Sequence, residues 1–515
     1  MSLLDVNVML GRPSAGGPAL TTPDELLREM DRVGVDEAVV YSAEARYCHP
    51  LEGNWSLLKQ IEGHRDRLHP CWLLLPSVGT EMPPAPELLR QMDENGVRAA
   101  RLLPGQCIFP ISEPVLRPLL EALASERIAT ILDLERGHWS ENSPWNDIFA
   151  ICEKHPDLPV ILLRECGSAI RALYHLWDAF PNLYLETSYM QTARSLEEVC
   201  ERFGAGRLLF GTALPQYDPG GSIATVHGSA LTPDQRADIG GNNARRLLGL
   251  DVETPTLNAN WPLAPGGFRV WDCHSHLGPW YRCPYAVHDI AGTVRRMDEV
   301  GIERTVISDI RAIESEPVSG NARIADAADT YPGRIYGYLG FAPWAYGTDV
   351  AAAEKLLDRA GIVGIKLHCG CHDTAPDAPE YRVAYELAHE RGLPVLTHGL
   401  LAPDALRKTL DELPNMTYVA AHYAALPPEG MEDYIAIARD YPNFVMDSAG
   451  SQIQAGAFAR LLERVPVDQV MFGCDFGIMD FPYQLGRVIH ADISDEAKQK
   501  VLYDNAARIY AKAGA

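Results

Sequence analysis

The sequence feature that most restricts the fold is an internal repeat, in which residues 4–250 and 268–512 carry the same landmarks in the same order. A repeated sequence unit of this length predicts two copies of one fold in tandem. The corresponding segments include MDRVGV at 30–35 and MDEVGI at 297–302, and FPNLY at 180–184 and YPNFV at 441–445.

The repeat predicts two domains, 1–250 and 268–515, each of a size that suits one compact core. Residues 251–267 contain three prolines and show neither a helical nor a strand period, which predicts a linker between the two domains.

Each domain is predicted to be a (β/α)8 barrel, an α/β fold of TIM type. In the second half, short apolar runs alternate with segments of helical period such as 353–359, 380–391 and 457–464. A doubly wound open sheet would instead need a glycine-rich phosphate turn after an early strand, and we find none. The predicted strands are 268–271, 304–308, 335–341, 363–368, 394–398, 417–422, 443–447 and 469–475.

Polar residues end these otherwise apolar strands, where the active sites of such barrels are found. The first strand is closed by Asp272-Cys273-His274-Ser275-His276, and strand alternation predicts that Asp272, His274 and His276 face one side. Three imidazoles and a carboxylate suit a divalent metal, with Zn²⁺ favoured and Mn²⁺ or Fe²⁺ as alternatives. Later strand ends supply Lys366, His368, His398, His422 and Asp475.

This order of residues resembles the amidohydrolase superfamily. The phrases GIKLH at 364–368 and GLPVLTH at 392–398 resemble its amidohydrolase-related branch, which includes the aminocarboxymuconate semialdehyde decarboxylase-like enzymes. The resemblance implies that the metal ligands are His274, His276, His398 and Asp475.

The resemblance also implies catalytic roles. Asp475 would accept a proton from water, and His422 would be the acid or base that contacts the substrate, or else a second-metal ligand. Lys366 would be either a carbamylated bridge between two metals or a plain lysine that pairs with a substrate carboxylate. His368 would contact the substrate or form a supporting hydrogen bond. Weaker candidates for substrate binding are Trp280, Arg282 and Asp447, for which a purely structural or surface role is the alternative.

The first half lacks this chemistry at the corresponding positions. Asparagine, methionine and alanine cannot build a divalent metal site, and arginine opposes one, so we expect no catalytic metal there. The first barrel would then be a structural partner in an intrachain pseudo-dimer, or its loops, with Arg46 or Tyr47, would complete the other pocket. The corresponding residues are Asn7, Met9, Arg101, Leu103, Asp133, Arg164 and Ala213.

The resemblance favours a metal-dependent hydrolase of a small ester, lactone or amide. The alternatives are a metal-dependent non-oxidative decarboxylase of a small aromatic or enol carboxylic acid, and a two-barrel binding or scaffold protein without turnover. A formal charge of −24 argues against nucleic acid or an anionic membrane as a partner. We expect a cytoplasmic protein that acts on a small molecule, alone or as a homo-oligomer. The substrate, the number of metals and the metal's identity stay open.

Overall fold

The computed structural model describes residues 2–14, 16–76, 79–135, 142–165, 167–252, 267–347, 349–451, 453–511 and 514. The chain divides into two compact units, one containing the strands before residue 250 and the other the strands after residue 270. The predicted linker, 251–267, falls outside the described residues between 253 and 266. Within the described part of the chain, no helix is long and apolar enough to cross a membrane.

The first unit is a parallel eight-stranded barrel in its described residues, with each strand paired to the next in sequence order. Backbone hydrogen bonds from β1 to the chain beyond β8 bring the sheet edges together, as in Val6 N–H to the Phe210 carbonyl at 2.9 Å. The strands are β1 Leu4–Leu10, β2 Glu37–Ser42, β3 Leu68–Leu73, β4 Ala99–Leu102, β5 Ala129–Leu132, β6 Val160–Leu162, β7 Leu183–Glu186 and β8 Leu208–Leu209.

Helices connect these strands, as the parallel order requires. The described α-helices are Pro23–Val33, Ala43–Tyr47, Pro50–Gln60, Ala85–Glu94, Glu113–Ser125, Trp145–Lys154, Ile170–Ala179, Ser195–Phe203, Pro219–His227, Pro233–Ala237 and Asn243–Leu248. Short 3-10 turns occur at Glu62–His64 and Gly167–Ala169, and a π-helical turn at Asp238–Asn242.

The second unit repeats this barrel, which confirms the predicted fold class. Ser275 pairs with Phe476 beyond the last strand, so the sheet again approaches closure. The strands are β9 Trp271–Leu277, β10 Arg304–Asp309, β11 Ile335–Gly340, β12 Ile362–His368, β13 Pro394–His398, β14 Thr417–Ala420, β15 Phe444–Asp447 and β16 Val470–Met471.

The helices of the second unit include counterparts of all three predicted helical segments, at Val350–Leu357, Pro379–Arg391 and Ala457–Leu462. The other described α-helices are Ile290–Val300, Ile310–Glu314, Pro317–Thr330, Pro343–Tyr346, Cys369–His372, Pro403–Glu412, Glu432–Asp440, Phe481–Ile489, Asp495–Gln499 and Asn505–Tyr510. Two 3-10 turns, Tyr423–Ala425 and Val467–Gln469, and a π-helical turn, Lys500–Asp504, complete the described elements.

The interior of the second barrel is a packed apolar layer to which every strand contributes. Residues of the last helix, including Ala506 and Tyr510, pack against this layer. Helices and interior together bury both faces of the parallel sheet, which explains why its strands read as nearly continuous apolar runs. The strand residues of the layer are Trp271, Cys273, Val306, Tyr336, Tyr338, Val363, Leu396, Val419, Val445 and Met471.

Strand β9 contains a β-bulge that changes which residues of the segment 272–276 share a face. Thr305 pairs with Asp272 and Ile307 pairs with Ser275, so three steps along β9 oppose two steps along β10. The expectation that Asp272 shares a face with His274 is therefore wrong, because the extra residue breaks strict alternation. The Asp272 carboxylate instead accepts hydrogen bonds from the Thr305 and Ser275 hydroxyls and the N–H groups of His274 and Cys474.

The first barrel carries the same bulge in β1. The register shifts between Asp5 and Val8, and the Asp5 carboxylate accepts the N–H groups of Asn7 at 2.9 Å and Thr212 at 3.1 Å. The aspartate that precedes the bulge thus holds the first strand to the chain beyond the eighth strand in both barrels. It is a structural residue in each copy.

Candidate metal centre

Four buried polar groups meet at the carboxyl-terminal end of the second barrel, on His274, His276, Lys366 and Asp475. Nε2 of His276 lies 2.8 Å from Oδ1 of Asp475, and Nε2 of His274 lies 3.8 Å from the same oxygen. Nζ of Lys366 lies 2.9 Å from Nε2 of His274. Strands β9 and β12 and the segment after β16 therefore deliver one compact cluster, at the end of the barrel where the sequence predicts it.

Three histidines, two in this cluster and one beside it, have the Nδ1 atom within hydrogen-bonding distance of an oxygen atom. The pairs are His274 with Asp447 Oδ2 at 2.9 Å, His276 with Ser308 Oγ at 3.0 Å, and His422 with the Ala449 carbonyl at 3.1 Å. An ionised carboxylate and a carbonyl only accept, so Nδ1 of His274 and of His422 carries the proton and Nε2 keeps its lone pair. This is the tautomer that a metal ligand requires.

Asp475 presents an oxygen atom suited to a metal. Its backbone is left-handed, with φ at 63°, and its N–H donates to the His274 carbonyl at 2.5 Å. Oδ1 is buried and accepts no hydrogen bond of good geometry, although His276 Nε2 is close. A buried carboxylate oxygen without a donor is costly in a dry site, and a cation would remove that cost.

The protonation states also suit a metal site. Burial alone would raise the pKa of the Asp475 carboxyl, but His276 and His274 beside it hold that pKa well below its usual range. Burial, together with the Lys366 ammonium, keeps the pKa of the His274 imidazole well below its usual range. An ionised carboxylate beside a neutral imidazole is the pairing that metal binding requires.

Two groups of side chains could hold an ion among the described residues, and both contain His274. The first adds His276 and Asp475, and the second adds His422 and Asp447. We favour the first, because Oδ1 of Asp447 already accepts the N–H groups of His422 at 2.8 Å and Ala449 at 3.1 Å. Two imidazoles and a carboxylate fit Zn²⁺, Mn²⁺ or Fe²⁺.

His398, the other predicted ligand, is paired with His368 instead of belonging to either group. Nδ1 of His398 lies 2.6 Å from Nε2 of His368, and Nδ1 of His368 accepts the Cys371 N–H at 3.1 Å. Burial lowers the pKa of His398 to about 3, so both rings are neutral and His368 donates to His398. In this arrangement the proton of His398 lies on Nε2. Its role as a ligand stays a prediction, and it would require the pair to rearrange.

Lys366 is fully buried, and its amine forms a hydrogen bond to Nε2 of His274. A metal bound by His274 would need the same lone pair on Nε2. Burial lowers the pKa of its amine to about 8, although the Asp475 and Asp447 carboxylates act in the opposite direction. A neutral amine can leave this bond more easily than an ammonium group can. Whether the amine is carbamylated stays a prediction.

The three weaker candidates occupy different surroundings. Asp447 is fully buried and bonded to His274, so its observed contact orients a histidine. Trp280 is half-buried and donates from Nε1 to Glu314 at 2.6 Å, whereas Arg282 is exposed in the loop after β9. Contact of any of the three with a substrate stays a prediction.

Sequence reasoning missed three supporting groups, on Ser308, Glu314 and Ala449. Ser308 pairs in register with His276, so a polar residue at the end of the second strand was the available signal. Glu314 accepts from Trp280 and from the Cys371 thiol, which connects the loop after β9 to the end of β12. The Ala449 carbonyl left no signal, because a backbone acceptor does not depend on residue type.

The first barrel places different side chains on a similar backbone at the corresponding positions. Arg101 donates to Asp133 at 2.8 Å, and both are buried. Arg164 and Ala213, the counterparts of His422 and Asp475, share their left-handed conformation. The φ values are 57° and 60° in the first barrel and 70° and 63° in the second.

A comparison with protein families matches both halves of the chain. The family model described as "Amidohydrolase" matches residues 18–250 and 271–512. Comparison of the sequence with curated proteins gives no significant match.

Similar solved structures each cover about half of this chain. The 5-carboxyvanillate decarboxylase from Sphingomonas paucimobilis is 15% identical, with TM-score 0.38 over 47% of this chain and 99% of that one. A 2,6-dihydroxybenzoate decarboxylase is 16% identical, with TM-score 0.40 over 48% and 100%. The 4-oxalomesaconate hydratase from Rhodopseudomonas palustris is 16% identical, with TM-score 0.38 over 47% and 96%.

Proposed function

The chain belongs to the amidohydrolase family, whose model matches both of its halves, and from this premise we propose that it is a metal-dependent hydrolase of a small ester, lactone or amide. The observation that carries the proposal is the convergence of the Nε2 atoms of His274 and His276 on a buried oxygen of the Asp475 carboxylate. His274, His276 and Asp475 would hold the metal, with His398 as the further ligand that the family resemblance implies. A bound divalent metal would supply an electrophile and lower the pKa of a coordinated water.

The protein's own groups would then divide the work of hydrolysis. Asp475, ionised and buried, would accept the proton of the attacking water. His422 has its Nδ1 bound to the Ala449 carbonyl, which leaves Nε2 to exchange a proton with the substrate. Its ring centroid lies 5.0 Å from that of His274 and 4.8 Å from that of His398, beside the proposed metal.

Lys366 would contribute a hydrogen bond to the substrate. Its amine, with a pKa lowered by burial to about 8, supplies donors close to Asp475. A developing negative charge on a carbonyl oxygen is stabilised by such a preorganised donor in a site that excludes water. Asp447 would hold His274 in position and would not contact the reacting atoms.

Metal analysis of the purified full-length chain tests the first part of the proposal. We expect about one equivalent of Zn²⁺, Mn²⁺ or Fe²⁺ per chain, and its loss in His274→Ala. The matched control is His175→Ala, which removes an exposed histidine of the helix Ile170–Ala179. A metal-free wild-type protein that does not take up metal would refute the proposal and favour a binding or scaffold protein.

A substrate panel tests the reaction. Esters and lactones are followed by proton release, amides by release of the amine, and aromatic and enol carboxylic acids by release of carbon dioxide, with metal-loaded and chelator-treated protein side by side. We expect metal-dependent hydrolysis without release of carbon dioxide. Metal-dependent release of carbon dioxide alone would replace the hydrolase with the decarboxylase that the family resemblance offers as the alternative.

A further inference from the structure

Three arginines surround one buried carboxylate at the carboxyl-terminal end of the first barrel. Arg101 donates to Oδ2 of Asp133 at 2.8 Å. Nη1 of Arg46 lies 3.9 Å from the same oxygen, and Nη2 of Arg164 lies 3.5 Å from Oδ1. The arginines follow or belong to strands β2, β4 and β6, so they meet at the same end of the barrel as the histidine cluster does in the second barrel.

Two of these guanidinium groups have far more donors than acceptors. Arg46 donates to the Tyr41 hydroxyl at 3.3 Å and to Glu135 at 2.8 Å, and its Nε is buried without a partner. Arg164 donates to the Tyr217 hydroxyl at 3.0 Å. A guanidinium has five N–H groups, and each of these side chains is only 11% exposed. Buried arginine is ordinarily fully paired, so the unpartnered Nε of Arg46 and the remaining donors of Arg164 leave room for a further acceptor.

The nearest carboxylates are already engaged, because each of their oxygens accepts a hydrogen bond from another group. Oδ1 of Asp133 accepts the Glu135 N–H at 3.0 Å, and Oδ2 accepts from Arg101. Glu135 accepts from Arg46 on one oxygen and from the Gln106 N–H on the other, at 2.6 Å. No further hydrogen-bond acceptor for Arg46 or Arg164 occurs within the described ranges.

Two deeper carboxyl groups are also committed to local donors. Asp5 accepts from Thr212 and the Asn7 N–H, and Glu186 accepts from the hydroxyl and N–H of Ser188. Burial raises the pKa of Asp5 to about 6 and of Glu186 to about 7, so both ionise less readily than an exposed carboxyl group. Neither forms a hydrogen bond with the two outer arginines.

We propose that the mouth of the first barrel binds a small organic carboxylate between Arg46 and Arg164. The planar guanidinium fork matches a carboxylate, and two forks approach Asp133 from its two oxygens. Aromatic side chains in contact with the arginines, Tyr41, Tyr47 and Tyr217, favour a ligand with a carbon skeleton over an inorganic anion. This site is separate from the proposed metal centre and does not depend on the hydrolase reaction.

Calorimetric titration of the chelator-treated full chain tests the site, with benzoate, succinate and inorganic phosphate as probes. We expect one carboxylate site per chain, with affinity reduced about tenfold or more in Arg46→Gln and Arg164→Gln. Arg90→Gln, which removes an exposed arginine of the same barrel, should bind as wild type does. Equal affinity in all variants, no carboxylate binding, or a preference for phosphate would overturn the proposal.

Crystals of the wild-type protein soaked with 4-bromobenzoate give a second measurement that does not depend on the folding of a variant. We expect an anomalous bromine peak beside Arg46 and Arg164, with the carboxylate towards the guanidinium groups. A peak found only in the second barrel, or no peak, would count against the site. Arg164→Lys keeps the charge but loses the fork, and we expect it to bind more weakly than wild type.

Discussion

Replacement of Asp447 by asparagine should reverse the tautomer of His274, a proposed metal ligand, without changing the shape of the site. Asp447 is fully buried, and its Oδ1 accepts two backbone N–H groups, of His422 and Ala449. In Asp447→Asn the amide oxygen would keep these two bonds, which turns the amide NH2 towards Nδ1 of His274. Since an NH2 group donates, Nδ1 would have to accept, and the proton of His274 would move to Nε2.

The expected loss can be estimated from the role of the partner. Loss of a partner that orients a ligating histidine typically weakens metal binding about 10–100-fold, or about 1.4–2.7 kcal/mol. We expect the upper end, because Asp447→Asn reverses the tautomer and does more than remove a bond. The amide oxygen would keep both backbone hydrogen bonds, so the substitution should cost the metal-free protein only about 1 kcal/mol or less.

Competition with a chromogenic chelator measures the metal affinity, and urea unfolding of the metal-free protein measures the stability separately. Asp440→Asn is the matched control, because Asp440 is exposed at the end of the helix Glu432–Asp440. Metal affinity within about twofold of wild type in Asp447→Asn would refute the tautomer argument. A large loss of stability in the metal-free variant would show that Asp447 supports the fold more than the ligand.

Three further substitutions probe neighbouring groups. Ser308→Ala removes the Nδ1 partner of His276 and should weaken metal binding about fivefold, measured by the same competition; an unchanged affinity would contradict the role of Ser308. Lys366→Met should leave one metal per chain by elemental analysis, whereas a fall from two to one would instead establish a carbamate bridge. Glu186→Gln should stabilise the protein by about 2 kcal/mol at pH 8, measured by urea unfolding. The reason is that burial raises the pKa of Glu186 from 4.5 to about 7, so its ionised form is unfavourable in the folded state. This gain should shrink as the pH falls towards 4.5, where both the folded and the unfolded wild type become protonated; a gain that does not depend on pH would contradict the assignment.

The sequence was sufficient for the barrel and for the end of the barrel that carries the chemistry. Each strand of the second unit is an apolar run, and polar residues stand at the end of these runs because only the mouth of a packed barrel can accept them. The positions of His274, His276 and Asp475 in one cluster follow from this rule, and the repeat doubles the number of runs that support it.

The errors and omissions arise from interactions that strand periodicity does not contain. The bulge after Asp272 shifts the face of the following residues by one position. Hydrogen bonds from Thr305 and Cys474 to Asp272 accompany the bulge, and both residues lie outside strand β9. The pairing of His398 with His368 depends on the helix Cys369–His372, whose first turn supplies the Cys371 N–H. Contacts of this kind join different strand ends, so a single strand pattern cannot predict them.

The left-handed conformation of Arg164 and Ala213 suggests that the backbone of the first barrel could present a set of metal ligands. A left-handed conformation costs a non-glycine residue about 1–2 kcal/mol. The first barrel adopts it at the positions that correspond to His422 and Asp475 of the second barrel. A ligand set could then be returned by exchanging side chains alone, with Asn7→His, Met9→His and Ala213→Asp as the first set. In that sense the second barrel would carry the proposed activity, and the first barrel would be a scaffold on which a second activity could be built.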